Sequence, residues 1–154
     1  MDLPPDFRDL LAEFERAGVS AVVVGGYAVA FHGRPRATKD IDLVVEGSPE
    51  NLARVASALD AFGAPPNVIA LARAMGPEEV VFLGQPPLRI DLLRMIDGVT
   101  PEQLFANAVA ARVDDVRVHV IGLDDLITNK RAAGRPQDLL DAEFLERVRA
   151  KGER

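Results

Sequence analysis

The chain has 154 residues, enough for one domain with a proper core and little more, and its 48% apolar and 27% charged residues are those of a folded globular protein. It has no cysteine, which excludes disulfides and zinc–thiolate sites, and its net charge of −6 argues against binding duplex DNA, which needs a clustered basic surface. The acidic, proline-broken N-terminus does not read as a signal peptide. The longest apolar stretch, Ala21 to Phe31, falls far below the ~20 residues a membrane helix needs, so a cytoplasmic location with no membrane association is expected.

In chain order, Phe7, Leu10, Leu11 and Phe14 stand at helical spacing, which predicts a helix over Asp6 to Ala17 that ends at Gly18. Ser20 to Val24 is a β-branched run and predicts a buried strand. Gly25 and Gly26 then turn the chain into a short apolar helix, Tyr27 to Phe31. A basic loop follows, and Asp40 to Glu46 predicts a second strand. Pro49 to Phe62 is amphipathic, with Leu52, Val55, Ala56 and Leu59 on one face.

Beyond Pro65 and Pro66 the pattern predicts a short helix over Val68 to Met75 and strands over Glu79 to Leu83 and Leu88 to Arg94, joined by a Gly-Gln-Pro-Pro turn. Pro101 to Ala111 reads as helix and Val116 to Ile121 as strand. Two helices close the chain, Leu123 to Ala133 and Pro136 to about Arg149, with Arg147 to Arg154 as a frayed tail. One strand pair is joined too tightly for a crossover. The expectation is an α/β (α+β) fold, a mixed β-sheet flanked by helices, with residues 1–154 as a single domain and residues 123–150 as a C-terminal helical pair.

Asp40-Ile41-Asp42-Leu43-Val44-Val45 carries the chemistry. Strand alternation puts Asp40 and Asp42 on one face and Ile41 and Leu43 on the other. Two carboxylates so close repel, and a divalent cation such as Mg²⁺ or Mn²⁺ relieves the repulsion. Asp91 is a third acid, set in the apolar run Leu88 to Leu93, where burial demands a partner. That partner is the same metal if the two strands are neighbours, or else Arg89 or Arg94. Three carboxylates on adjacent strands suit two cations clamping a phosphoryl displacement. The basic clusters Arg34, Arg36, Lys39 and Lys130, Arg131, Arg135 suit a small polyphosphate, and solvated surface charge is the plain alternative for each.

Gly25 and Gly26 permit close approach of backbone to a ligand, although a tight strand–helix connection explains them equally well. Lys130 falls on or beside the buried stripe of its helix, as a lysine does when its stem is buried and its head has a target. Asp138 and Asp141 share a face near the start of the last helix, where acids complement the helix dipole. His32 reads as a cap or solvent contact, Tyr27 as a packing residue, and His119 as lying on the opposite strand face.

The Gly25-Gly26 turn, thirteen residues, and then Asp40-Ile41-Asp42 resemble the signature of the DNA polymerase β-like nucleotidyltransferase superfamily. Arg36-Ala37-Thr38-Lys39-Asp40-Ile41-Asp42 is similar to the version in minimal bacterial nucleotidyltransferases, which include antibiotic-modifying enzymes and abortive-infection type toxins. Lys130, Arg135, Asp138 and Asp141 resemble the ending of the toxin-like branch. The resemblance implies metal-dependent transfer of a nucleoside monophosphate from a nucleoside triphosphate to a protein, tRNA or small-molecule acceptor, with a toxin–antitoxin system as one setting. It implies Asp40, Asp42 and Asp91 as catalytic metal ligands and Gly25, Gly26, Arg36, Thr38, Lys130 and Asp138 as nucleotide contacts. The alternative is a non-catalytic nucleotide-binding or antitoxin-like module that works through a partner protein.

Overall fold

The computed structural model describes residues 3–34 and 37–152. Helix α1 (Pro5–Ala17) buries Phe7, Leu10, Leu11 and Phe14, the stripe its spacing predicts. Strand β1 (Ala21–Val24) runs into α2 (Gly25–Phe31), so the glycine pair forms the first residues of that helix. Strand β2 (Asp40–Val45) and helix α3 (Pro49–Phe62) follow, then α4 (Pro66–Arg73), β3 (Val81–Leu83) and β4 (Arg89–Leu93). The chain closes through α5 (Pro101–Asn107), β5 (Val109–Val113), β6 (Val116–Val120), α6 (Leu123–Ala133) and α7 (Pro136–Gly152).

Two expectations are corrected. The helix predicted over Pro101 to Ala111 stops at Asn107, and Val109–Val113 is a strand paired antiparallel with β6. The capping box of Thr100 and Gln103 starts α5 as helix, but the run Val109 to Val113 has a partner strand across the Asp114-Asp115 turn. Asp114 takes a positive φ of 53°, which closes the hairpin over two residues. The predicted frayed tail is helical through Gly152, and the last two residues lie outside the described residues.

The six strands form one mixed sheet in the order β3-β4-β2-β1-β6-β5. The pairs β1–β2, β3–β4 and β5–β6 are antiparallel, whereas β2–β4 and β1–β6 are parallel. The central strands are β2 and β1. Their Ile41, Leu43, Val22 and Val23 are almost fully buried and join the α1 and α3 stripes in one apolar core. Complete burial of a Leu, Val or Phe stabilises the fold by about 1.5–3 kcal/mol each. Among the described residues no helix is long and apolar enough to cross a membrane.

One buried polar residue ties helix to sheet. Asn51 on α3 is 1% exposed. Its side-chain oxygen accepts from Ser20 N at 2.8 Å, and its amide donates to Ser20 O at 3.1 Å and to Glu46 O at 2.6 Å. It thus satisfies backbone groups just before β1 and just after β2, fixing the two ends that the β1–β2 pairing leaves open. Replacing it removes all three bonds and leaves the Glu46 N to Ser20 O bond, 3.0 Å, to hold the two strand ends together. Asn51→Ala is expected to lower stability by about 2–4 kcal/mol in urea unfolding, from lost hydrogen bonds plus unsatisfied backbone groups.

Candidate active site

The acids come together because β2 and β4 are parallel neighbours in a fixed register. Asp42 stands opposite Asp91, and Asp40 stands opposite Arg89. Partners in register share a sheet face, so three carboxylates and one guanidinium share the face away from Ile41, Leu43, Ile90 and Leu92, all of which are buried. The hydrogen bond from Arg89 N to Lys39 O, 3.1 Å, pins the start of this register.

Asp42 carries the electrostatic strain. Burial, then the charge of Asp91 and a hydrogen bond shared with it, then the charge of Asp40, push its pKa from 3.8 to about 7, against a downward pull from Lys130. Asp42 therefore keeps its proton at mildly acidic pH. Asp91, buried as a residue, accepts two hydrogen bonds from Arg89, Nε to Oδ1 at 2.7 Å and Nη2 to Oδ2 at 3.0 Å. Arg89 Nη2 also stands 3.4 Å from Asp40 Oδ2, and its guanidinium lies 4.7 Å from the centre of the Phe82 ring. Of the arginines expected as alternative partners for Asp91, Arg89 takes that place, whereas Arg94 donates to Met75 O at 3.0 Å.

The glycine pair fits against this cluster. Gly25 has φ +69°, a conformation that side chains rarely adopt, and a Cβ there would fall 2.1 Å from Asp42 Oδ2. A Cβ at Gly26 would stand 3.2 Å from the Cβ and Oγ1 of Thr38. The Asp42 carboxylate thus lies directly on the turn from β1 into α2. Thr38 donates from Oγ1 to Asp40 O at 3.1 Å, bracing the loop at the start of β2. Tyr27 is buried and stacks edge-on against Phe7, with its hydroxyl 3.4 Å from Thr38 O. His32 caps α2, and its Nε2 lies 2.7 Å from Ile121 O, joining this turn to the end of β6.

Behind the acids lies a second charged group, formed where α6 meets α7. Gly134, with φ 70°, ends α6, and Pro136 starts α7, so the two helices pack side by side. Their inward stripes carry Leu126, Ile127 and Lys130 on one, and Asp138, Asp141, Ala142 and Leu145 on the other. Lys130 Nζ stands 3.2 Å from Asp138 Oδ1 and 3.5 Å from Asp141 Oδ2, with all three residues buried. Burial alone would push Asp138 up, but hydrogen bonds from Arg135 and Lys130 outweigh it and hold the carboxylate below its ordinary value.

Arg34, in the loop after α2, reaches the same group. It stands 3.5 Å from Asp141 Oδ1, donates to Leu140 O at 3.2 Å and lies over the Phe144 ring. Lys130 thus meets the acids of α7 directly, and its charge reaches Asp42. Both oxygens of Asp138, expected as a nucleotide contact, are engaged by Lys130 and Arg135. Lys39 is exposed, and Arg36 lies outside the described residues.

Among the described residues, no three acidic, histidine or cysteine side chains are gathered closely enough to hold a metal ion as they stand. The donor chemistry nonetheless suits Mg²⁺ or Mn²⁺: hard oxygens, two of them on one strand, and an acid whose retained proton a cation would replace. Arg89 stands on the oxygens the third acid would contribute. A cavity of about 630 Å³ opens elsewhere, lined by Phe7, Phe62, Val68 and Ile90. Its lining takes in Phe82 as well as Ile90, residues of opposite sheet faces, so the cavity wraps the β3 end of the sheet.

Residues 5–154 match the model of a family described as nucleotidyl transferase of unknown function (DUF2204). No curated protein matches the sequence significantly. Among solved structures, the fold is similar to a lincosamide antibiotic adenylyltransferase, LnuA, in its lincomycin-bound form. That match has a TM-score of 0.61 and 15% identity, and covers 95% of this chain and 98% of that one. It is also similar to a Thermotoga maritima protein (TM1012) named as a nucleotidyltransferase, with a TM-score of 0.56, 16% identity, and 96% and 91% of the two chains covered. At these identities the likeness is one of fold.

Two measurements check the site geometry. Gly25→Ala is expected to cost roughly 2–3 kcal/mol, from backbone strain plus displacement of Asp42, and Gly26→Ala no more than about 1 kcal/mol; urea unfolding of both variants compares them. The second is a pH profile of the metal-free protein. Between 3.8 and about 7 the native Asp42 keeps a proton that the unfolded chain has lost. Stability therefore falls as pH rises through that window, by on the order of 4 kcal/mol, and Asp42→Asn flattens the slope.

Proposed function

Because the chain belongs to this family of nucleotidyl transferases, we propose that it transfers a nucleoside monophosphate from a nucleoside triphosphate to an acceptor, using Asp40, Asp42 and Asp91 as the cation-binding and reacting acids. The observation that carries the reading is the β2–β4 register, which sets Asp42 against Asp91 beside the Gly25-Gly26 turn. In the reaction an acceptor oxygen bonds to the α-phosphorus, the bond from that phosphorus to the pyrophosphate oxygen breaks, and the acceptor proton passes to a carboxylate. A bound Mg²⁺ or Mn²⁺ would be held by Asp40, Asp42 and Asp91 and would neutralise triphosphate charge.

The chain's own groups have separable tasks. Asp91 orients the acceptor hydroxyl and takes its proton, a task for which its buried place opposite Asp42 suits it. Gly25 and Gly26 carry no side chain that would keep phosphate from the backbone of the turn. Thr38 braces the chain at the start of β2 through its bond to Asp40 O. Lys130 supplies fixed positive charge behind Asp42, and Asp138 and Asp141 hold that ammonium in place.

The acceptor classes are a protein side chain, a tRNA end or a small molecule. The similar fold of an enzyme named for adenylylating a lincosamide supports the last of these. Purified protein, each labelled nucleoside triphosphate and Mg²⁺ are combined with the protein, RNA and small-molecule fractions of a cell lysate. Label is expected in one fraction, and Asp42→Ala is expected to lower its rate by about 100-fold or more. Absence of transfer to every fraction overturns the enzymatic reading. If a tightly bound partner protein is then recovered, the chain works as a nucleotide-binding half of a toxin–antitoxin pair.

A further inference from the structure

Arg89 stands exposed at the start of β4, a place where an arginine needs no partner, yet four features of the fold hold it still. Register sets it opposite Asp40. It donates to both oxygens of Asp91, the bidentate geometry in which a guanidinium binds a carboxylate most strongly. It reaches Asp40 at 3.4 Å, and it stacks on Phe82. Phe82 itself is 52% exposed, an unusual place for a phenylalanine unless the ring serves something beside it, and it stands in register with Asp91 on β3.

We infer that Arg89 is the resident counter-cation of the carboxylate cluster, holding Asp91 and Asp40 until a divalent cation displaces it. This rests on the reading that Asp40, Asp42 and Asp91 receive that cation. The lone pairs of Asp91 that face the guanidinium are the ones a metal would need, so the two cations compete for the same oxygens. Arg89 is therefore a positioning residue: it keeps three crowded acids from repelling one another and keeps Asp91 turned into the site.

Displacement does not release it to solvent. The Phe82 ring gives the guanidinium a platform that is independent of the acids. Resting there, its charge faces whatever anion arrives with the metal. A bare cation must therefore evict Arg89 without recompense, whereas a cation carried on a polyphosphate brings the evicted guanidinium a new partner. The exchange favours the metal–nucleotide complex over free metal.

Mn²⁺ titration of the nucleotide-free protein, read by the loss of the free-ion paramagnetic resonance signal, tests this on the wild type, Arg89→Gln, Phe82→Leu and Asp42→Asn. Removing the competing guanidinium is expected to tighten Mn²⁺ binding by about tenfold in Arg89→Gln. The same variant should melt lower than wild type in EDTA and gain more from Mg²⁺. Phe82→Leu, which keeps the arginine but removes the platform on which it rests once displaced, should weaken Mn²⁺ binding by about threefold, and it decides the matter if Arg89→Gln does not fold.

Mn²⁺ binding unchanged or weaker in the arginine variant, or unchanged or tighter in the Phe82 variant if that one decides, overturns the inference. If Asp42→Asn abolishes binding in that case, the carboxylate reading stands without Arg89's part in it. If Asp42→Asn binds Mn²⁺ as the wild type does, the carboxylate reading fails as well.

Discussion

Two carboxylates face each other across parallel strands, and much of the described structure near them offsets their repulsion. The β2–β4 pairing cannot shift by one residue, because a slip would turn Asp42 and Asp91 into the core and Ile41 and Ile90 out to solvent. Burial of the apolar face thus fixes the position of the acids on the polar one. Hydrophobic packing of Ile41, Leu43, Ile90 and Leu92 sets the register, and the electrostatic cost falls on Asp42, which keeps a proton to a pH far above the usual carboxylate range.

Positive charge meets this cluster from two sides. Arg89 approaches from the strand edge and is exposed and mobile in principle, whereas Lys130 approaches from behind on α6 and is locked among buried acids. The contrast follows from solvation. A buried ammonium must have carboxylate partners or lose its charge, so Lys130 is bound to Asp138 and Asp141 and cannot leave. A half-exposed guanidinium keeps much of its hydration and can exchange partners. One cation therefore serves as fixed scaffold and the other as a replaceable occupant, and an acidic chain maintains a locally balanced site.

Much of this was legible in the residues. The helical stripe of α1, the bounds of α3 and α6, and the alternation of acids with apolar residues in β2 follow from periodicity and from punctuation by Gly and Pro. Strand β5 was not legible. Val109 to Val113 follows a well-capped helix without a break residue, and only its partner across Asp114-Asp115 makes it a strand. Asn51 was missed because a lone asparagine in an amphipathic helix resembles a surface residue; its targets, Ser20 and Glu46, are brought to it by the sheet. The partners of Lys130 were missed for a related reason, since acids in the first turn of α7 read equally well as dipole complements.

Asp40, Asp42 and Asp91 show where the division falls. The sequence alone determined that Asp40 and Asp42 share a face, because alternation along a strand is a property of the chain itself. It also determined that Asp91 needed a partner, because an acid between Ile90 and Leu92 has a solvation debt wherever its strand lies. Only the tertiary structure decided who that partner was. Which strand lies beside which, and in what register, depends on contacts between residues some fifty positions apart, and no local pattern encodes them. The fold answered with Asp42 and Arg89 together, an opposing charge and a compensating one, because packing of the buried face placed both within reach of the same oxygens.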